Sequence, residues 1–175
     1  MSGLMKVFIA AGAALGAVVL TAGALVAQQT GMRRMGPGGM QDPDHMKDMQ
    51  VFHQLIEQRD RITRTVTVID KGVDTLTESD DPTVAGLIRA HVAAMTARVE
   101  QARPIHMRDP LFRAVFANAD RIEMKSTATA NGVRVVETST DPYVAKLIQA
   151  HAEVVSAFLK NGFEEMHKNH DVPPR

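Results

Sequence analysis

The 175-residue chain has no cysteine, no tryptophan and a single tyrosine. Without thiols it has no disulfide framework, no thiolate metal site, no iron–sulfur cluster and no covalent Cys-x-x-Cys-His haem attachment. Stability must come from an ordinary apolar core, which about 130 ordered residues are enough to bury. The scarcity of large aromatics removes the usual platforms for stacking bases or sugars. Net charge is lacking too: 20 Lys and Arg balance 20 Asp and Glu, spread along the chain, so no basic footprint for nucleic acid exists. Catalytic templates are also missing: there is no Gly-x-Ser-x-Gly, no His-Glu-x-x-His, no phosphate-binding glycine loop and no dinucleotide fingerprint. The sequence reads as a binding or interaction protein rather than an enzyme.

The long uncharged run is at the N-terminus, where Lys6 precedes Val7 to Val26. Residues 1–27 therefore read as a signal peptide, with small residues marking cleavage after Ala24 or Ala27. Left uncut, the same run is just long enough to serve as a single membrane anchor. Either outcome places the domain in the periplasm or otherwise outside the cytoplasm, touching a membrane only through this segment. Residues 28–42, with Gly31, Gly36, Pro37, Gly38 and Gly39, read as a flexible tether, and 43–172 as one domain.

An internal repeat organises that domain. Asp81-Pro82-Thr83-Val84-Ala85-Gly86-Leu87-Ile88-Arg89-Ala90-His91 returns sixty residues later as Asp141-Pro142-Tyr143-Val144-Ala145-Lys146-Leu147-Ile148-Gln149-Ala150-His151, identical at eight of eleven positions. Aligning 49–108 with 109–168 gives 17 identities in 60 positions, too many for unrelated sequence, so the two segments are expected to be copies of one unit. The tandem Asp-Pro-x-Val-Ala-x-Leu-Ile-x-Ala-His pattern resembles a group of small exported bacterial proteins of unassigned function. That resemblance implies export and a duplicated fold, and it brings no catalytic or binding residues.

Asp-Pro pairs at 42–43, 81–82, 109–110 and 141–142 predict four helix starts, with Asp as N-cap and Pro at the first helical position. Apolar residues follow at helical spacing: Val84, Leu87, Ile88, His91, Met95 and Val99, then Val144, Leu147, Ile148, His151, Val155 and Leu159. Between the helices, Thr65 to Thr77 and Ser126 to Thr138 alternate like hairpins. The expected fold is α+β: two helix–hairpin–helix units about a pseudo-twofold, a four-helix core resembling a helical bundle, and short hairpins at one end that pair or pack together.

Three groups of residues could hold a ligand. His91 and His151, on equivalent core faces, could meet near the axis and bind a metal or a non-covalent haem b, with Met95 one turn along as a further ligand. Duplication would equally copy a structural histidine. A second group is His45, Met46, Met49 and His53, where thioether and imidazole favour copper, above all Cu(I); Met32, Met35 and Met40 lie just upstream. The third runs from Glu164 to Asp171 with His167 and His170, and His106-Met107 is weaker still. The leading expectation is an exported transition-metal protein, most plausibly for copper. Haem between the core histidines is one alternative, and a ligand-free module docking an envelope protein is the other.

Overall fold

The computed structural model describes Asp42 and residues 44–175. The segments expected to be signal peptide and tether, apart from Asp42, lie outside the described residues, and Met32, Met35 and Met40 with them. The elements are α1 (His45–Glu57), β1 (Thr63–Ile69), β2 (Gly72–Glu78), α2 (Pro82–Glu100), α3 (Pro110–Phe116), β3 (Glu123–Ala128), β4 (Gly132–Thr138) and α4 (Pro142–Asn161). Short 3₁₀ turns follow α1, α3 and α4.

The architecture is α+β, but it overturns the expected four-helix core with short hairpins at one end. The strands form one antiparallel four-stranded sheet in the order β1-β2-β4-β3, a full layer of the fold. The physical reason lies in the strand edges. A lone two-stranded hairpin is marginal in water, and joining β2 to β4 satisfies two edges at once. The joint sheet then presents Val73, Thr75, Val133 and Val135 as a buried inner face, while Asp74 and Arg134 alternate outward and pair with each other.

The registers in the two halves agree. Thr63 faces Glu78 in the first hairpin and Glu123 faces Thr138 in the second. At the centre of the sheet Thr75 faces Val135, its own counterpart sixty residues on. Each long helix covers the other unit's hairpin: α2 packs on β3 and β4, and α4 on β1 and β2. Side chains fasten the crossing, since Gln149 Nε2 donates to the carbonyls of Ile69 and Gly72 at 3.3 Å and Arg89 reaches that of Ala130 at 3.5 Å. Val84 and Ile88 accordingly cluster with Val133 and Val135, whereas Val144 and Ile148 cluster with Val73. Neither unit covers its own sheet face alone, so the halves should unfold together.

Three of the four Asp-Pro pairs start helices as expected. Asp81, Asp109 and Asp141 accept backbone N–H groups at the N-termini of α2, α3 and α4, with Pro in the first turn. The fourth differs. Asp44 precedes α1 without capping it, and the carboxylate of Asp42 accepts the Asp44 N–H at 3.0 Å and is also held by Arg98 at 2.7 Å and Arg103 at 3.3 Å. Asp60-Arg61 recurs as Asp120-Arg121, and each arginine reaches forward to a helix cap, Arg61 to Asp81 and Arg121 to Asp141, both at 2.6 Å.

Glycine is required where β2 meets β4. A Cβ on Gly132 would stand 2.0 Å from the Thr77 carbonyl oxygen, and one on its counterpart Gly72 would stand 1.9 Å from that of Glu137. Since the obstacle is backbone, only separation of the central strands relieves it. Gly132→Ala should therefore cost about 1–3 kcal/mol, the usual range for overpacking. A urea unfolding midpoint equal to that of the parent would contradict this reading of the joint.

A candidate site between the sheet and the helices

The apolar stripes of α2 and α4 carry His91 and His151 over the inner face of the sheet. Each imidazole meets a phenyl ring from the first helix of its own unit, Phe52 with His91 at 5.8 Å between centroids and Phe112 with His151 at 5.1 Å. Both histidines line one cavity of about 180 Å³. Its floor includes Thr75 and Val135, and its walls include Met49, Met95 and Met124. Arg64 and Glu137 line it from the sheet. Both histidines are half-buried.

Burial dominates the electrostatics. It pushes His91 down to about 4, with the charge of Asp48 opposing weakly. His151 also falls to about 4, through burial and then the positive charge of Arg64. Both rings are thus neutral at pH 7, and among the described residues no protein hydrogen bond holds either of them; His91 Nδ1 is buried without a partner there. Burial raises Glu137, offset in part by Arg64, and lowers Arg64, offset in part by Glu137. The Arg64 guanidinium donates to Thr77 Oγ1 at 2.8 Å while its Nε has no partner. Buried polar groups are nearly always hydrogen-bonded, so His91 Nδ1 and Arg64 Nε are two exceptions in the wall of one cavity.

The other candidates are placed as follows. Met95 and Met49 join His91 and His151 in the cavity wall. His45, Met46 and His53 do not, although the i, i+4, i+8 spacing put His45 and His53 on one side with Met49. Over two turns a helix drifts off a four-residue repeat, and α1 turns Asp48, Leu55 and Ile56 inward. Met46 is 77 % exposed, and His53 is exposed with its ring 5.5 Å from that of Phe163. Among the described residues no three His, Cys, Asp or Glu side chains are grouped to hold a metal ion.

The C-terminal group forms a clasp. His170 Nδ1 lies 2.5 Å from Asp109 and Nε2 lies 2.9 Å from Glu165, while Glu164 and His167 are exposed. Burial opposes the charged imidazole, yet the two carboxylates outweigh it and raise His170; hydrogen bonds from His170, Lys168 and Asn161 bring Glu165 down to about 2. This arrangement ties the chain end to the buried cap of α3. His106, the weakest sequence candidate, turns out to line the cavity, with its backbone at φ 56° and its ring 4.8 Å from Phe112.

Arg64 and Glu137 were not among the sequence candidates. The signal that marks them is a break in the repeat: counting sixty on from Arg64 gives Met124, and counting sixty back from Glu137 gives Thr77. A charge that replaces an uncharged counterpart on the inward side of an alternating strand is out of place in a core. No family model, curated protein or solved structure matches the chain.

Proposed function

We propose that this chain is a non-catalytic binding protein whose small organic ligand occupies the cavity between sheet and helices. One observation carries the reading: His91 Nδ1 and Arg64 Nε are buried without hydrogen-bond partners among the described residues, in the wall of one apolar cavity that His151 and Glu137 also line. The absence of protein partners for the two histidines counts against a purely structural role, since a structural histidine would have partners to lose. A volume of about 180 Å³ lies below the range of about 300–1,000 Å³ for drug-sized ligands, which favours a small molecule over haem. The uncharged run from Val7 to Val26, behind Lys6, supports a place outside the cytoplasm for this binding.

A second reading keeps copper. Met49, Met95, His91 and His151 line one cavity, and this soft donor set suits Cu(I). The buried guanidinium of Arg64 weighs against a bound cation and ranks this reading second.

Untagged protein recovered from its native host should release a small organic compound on denaturation, seen as a mass difference between native and denatured spectra. Near-stoichiometric copper in the same sample would favour the second reading. The cavity itself is tested with toluene, which should raise Tm with the logarithm of its concentration once above Kd. Val155→Phe puts a ring into the space and should abolish that shift. If nothing co-purifies and neither toluene nor Cu(I) shifts Tm, the binding reading is wrong.

A further inference from the structure

The two hairpins fill one slot differently. Arg64 faces Thr77 across the first hairpin, and at the equivalent register Met124 faces Glu137 across the second. One charge of each sign is therefore set into the inner face of the sheet, each where the other unit carries an uncharged residue. They do not cancel by contact, for no ion pair joins Arg64 to Glu137 among the described residues, and Arg64 spends one bond on the Thr77 hydroxyl. A guanidinium cannot shed its proton in a protein, so its burial beside an apolar cavity is costly until an anion meets it.

We infer that the cavity binds a small monocarboxylic acid, its carboxylate on Arg64 and its apolar body over Thr75 and Val135 between His91 and His151. This rests on the cavity being the binding site. Size fits one ring or its aliphatic equivalent: a cavity of about 150 Å³ takes benzene, and this one measures about 180 Å³. Phe52, Phe112 and Phe158 supply aromatic edges and faces around the histidines. Neutral imidazoles add no competing cation, and burial disfavours the charged form of Glu137, whereas Arg64 keeps its charge and has its Nε without a partner.

The test compares benzoate, benzyl alcohol and benzylamine, which share a ring and differ in charge, by calorimetry on the full mature protein. Benzoate should bind about tenfold tighter than benzyl alcohol, the usual worth of a hydrogen bond to a charged group, and benzylamine should bind most weakly. Arg64→Met, the residue at the matching slot of the second hairpin, should erase the preference for benzoate while changing benzyl alcohol affinity by less than about threefold. This wild-type series decides the matter even if that variant folds poorly. Toluene or benzyl alcohol binding without preference for benzoate would overturn the carboxylate inference and leave the cavity reading intact. A preference for benzoate that persists in Arg64→Met would also overturn it. Binding of none of these probes, nor of toluene, would remove both.

Discussion

Acidifying the protein from pH 6.5 to pH 4 should remove on the order of 3 kcal/mol of stability for each of His91 and His151. The sign follows from burial. An unfolded histidine takes its proton near 6.5, whereas these two take theirs at about 4 in the folded state, so the native form binds fewer protons between those values. The stabilisation is fully present above the unfolded value and is lost as pH falls through the window. His170 does not confuse this range, because its raised value makes its contribution fully present below 6.5. Asp109 and Glu165, both lowered, begin to lose theirs as pH falls through the ordinary carboxylate values, at the acid end of this range. Glu137 acts in the opposite sense, since protonating a raised buried carboxyl relieves a charge, so the histidines must be isolated by difference. Replacing both by leucine should keep the protein folded at pH 7 and flatten the fall in urea midpoint between pH 6.5 and 4. An unchanged slope in the double variant would mean that the rings are not buried neutral in the native state.

Local features of this fold could be read from single residues, because their causes are local. Asp81, Asp109 and Asp141 cap helices with a side chain two or three residues from the amides it meets, and Thr65 to Thr77 alternates as a strand pair must. The layer itself was not legible in this way. Whether Val73 and Val133 lie in a sheet floor or at the end of a bundle depends on β2 finding β4, and on α2 and α4 crossing to the other unit's hairpin. Such pairings span about sixty residues, and periodicity within one element carries no information about them.

The candidate site divides along the same line. His91 and His151 stood out because the repeat preserved them, and symmetry placed them over one cavity. Arg64 and Glu137 are visible only as departures from the repeat, and a departure has meaning only once the inward face of the sheet is known. The methionine and histidine segment is divided between two faces of α1: Met49 joins the cavity wall, while His53, four residues on, lies outside it against Phe163.

Arg98 carries the other large expected effect, and Arg98→Met should cost about 3–5 kcal/mol. Its side chain has no accessible surface; Nε donates to Asp48 at 2.6 Å and one terminal nitrogen to Asp42 at 2.7 Å. Asp48 is itself nearly inaccessible, with 8 % of its side chain exposed, so losing the guanidinium strands a carboxylate between α1 and α2. Asp42 is less affected, since Arg103 still reaches it. The counterpart of Arg98 sixty residues on is Phe158, buried in an apolar cluster, which shows that the slot on α4 tolerates a wholly apolar side chain. Removing both charges should therefore be much milder than removing one. Asp48→Leu combined with Arg98→Met should recover most of the loss, giving a coupling energy well above the scatter of about 0.5 kcal/mol expected for independent sites. The same pair also holds α1, with Met49 and Phe52, against the cavity, so Arg98→Met should weaken toluene binding and the double variant should restore it. Urea denaturation of the four proteins completes the cycle. A cost below about 1 kcal/mol for Arg98→Met, or a double variant less stable than either single one, would show that this pair is not the joint between the two helices.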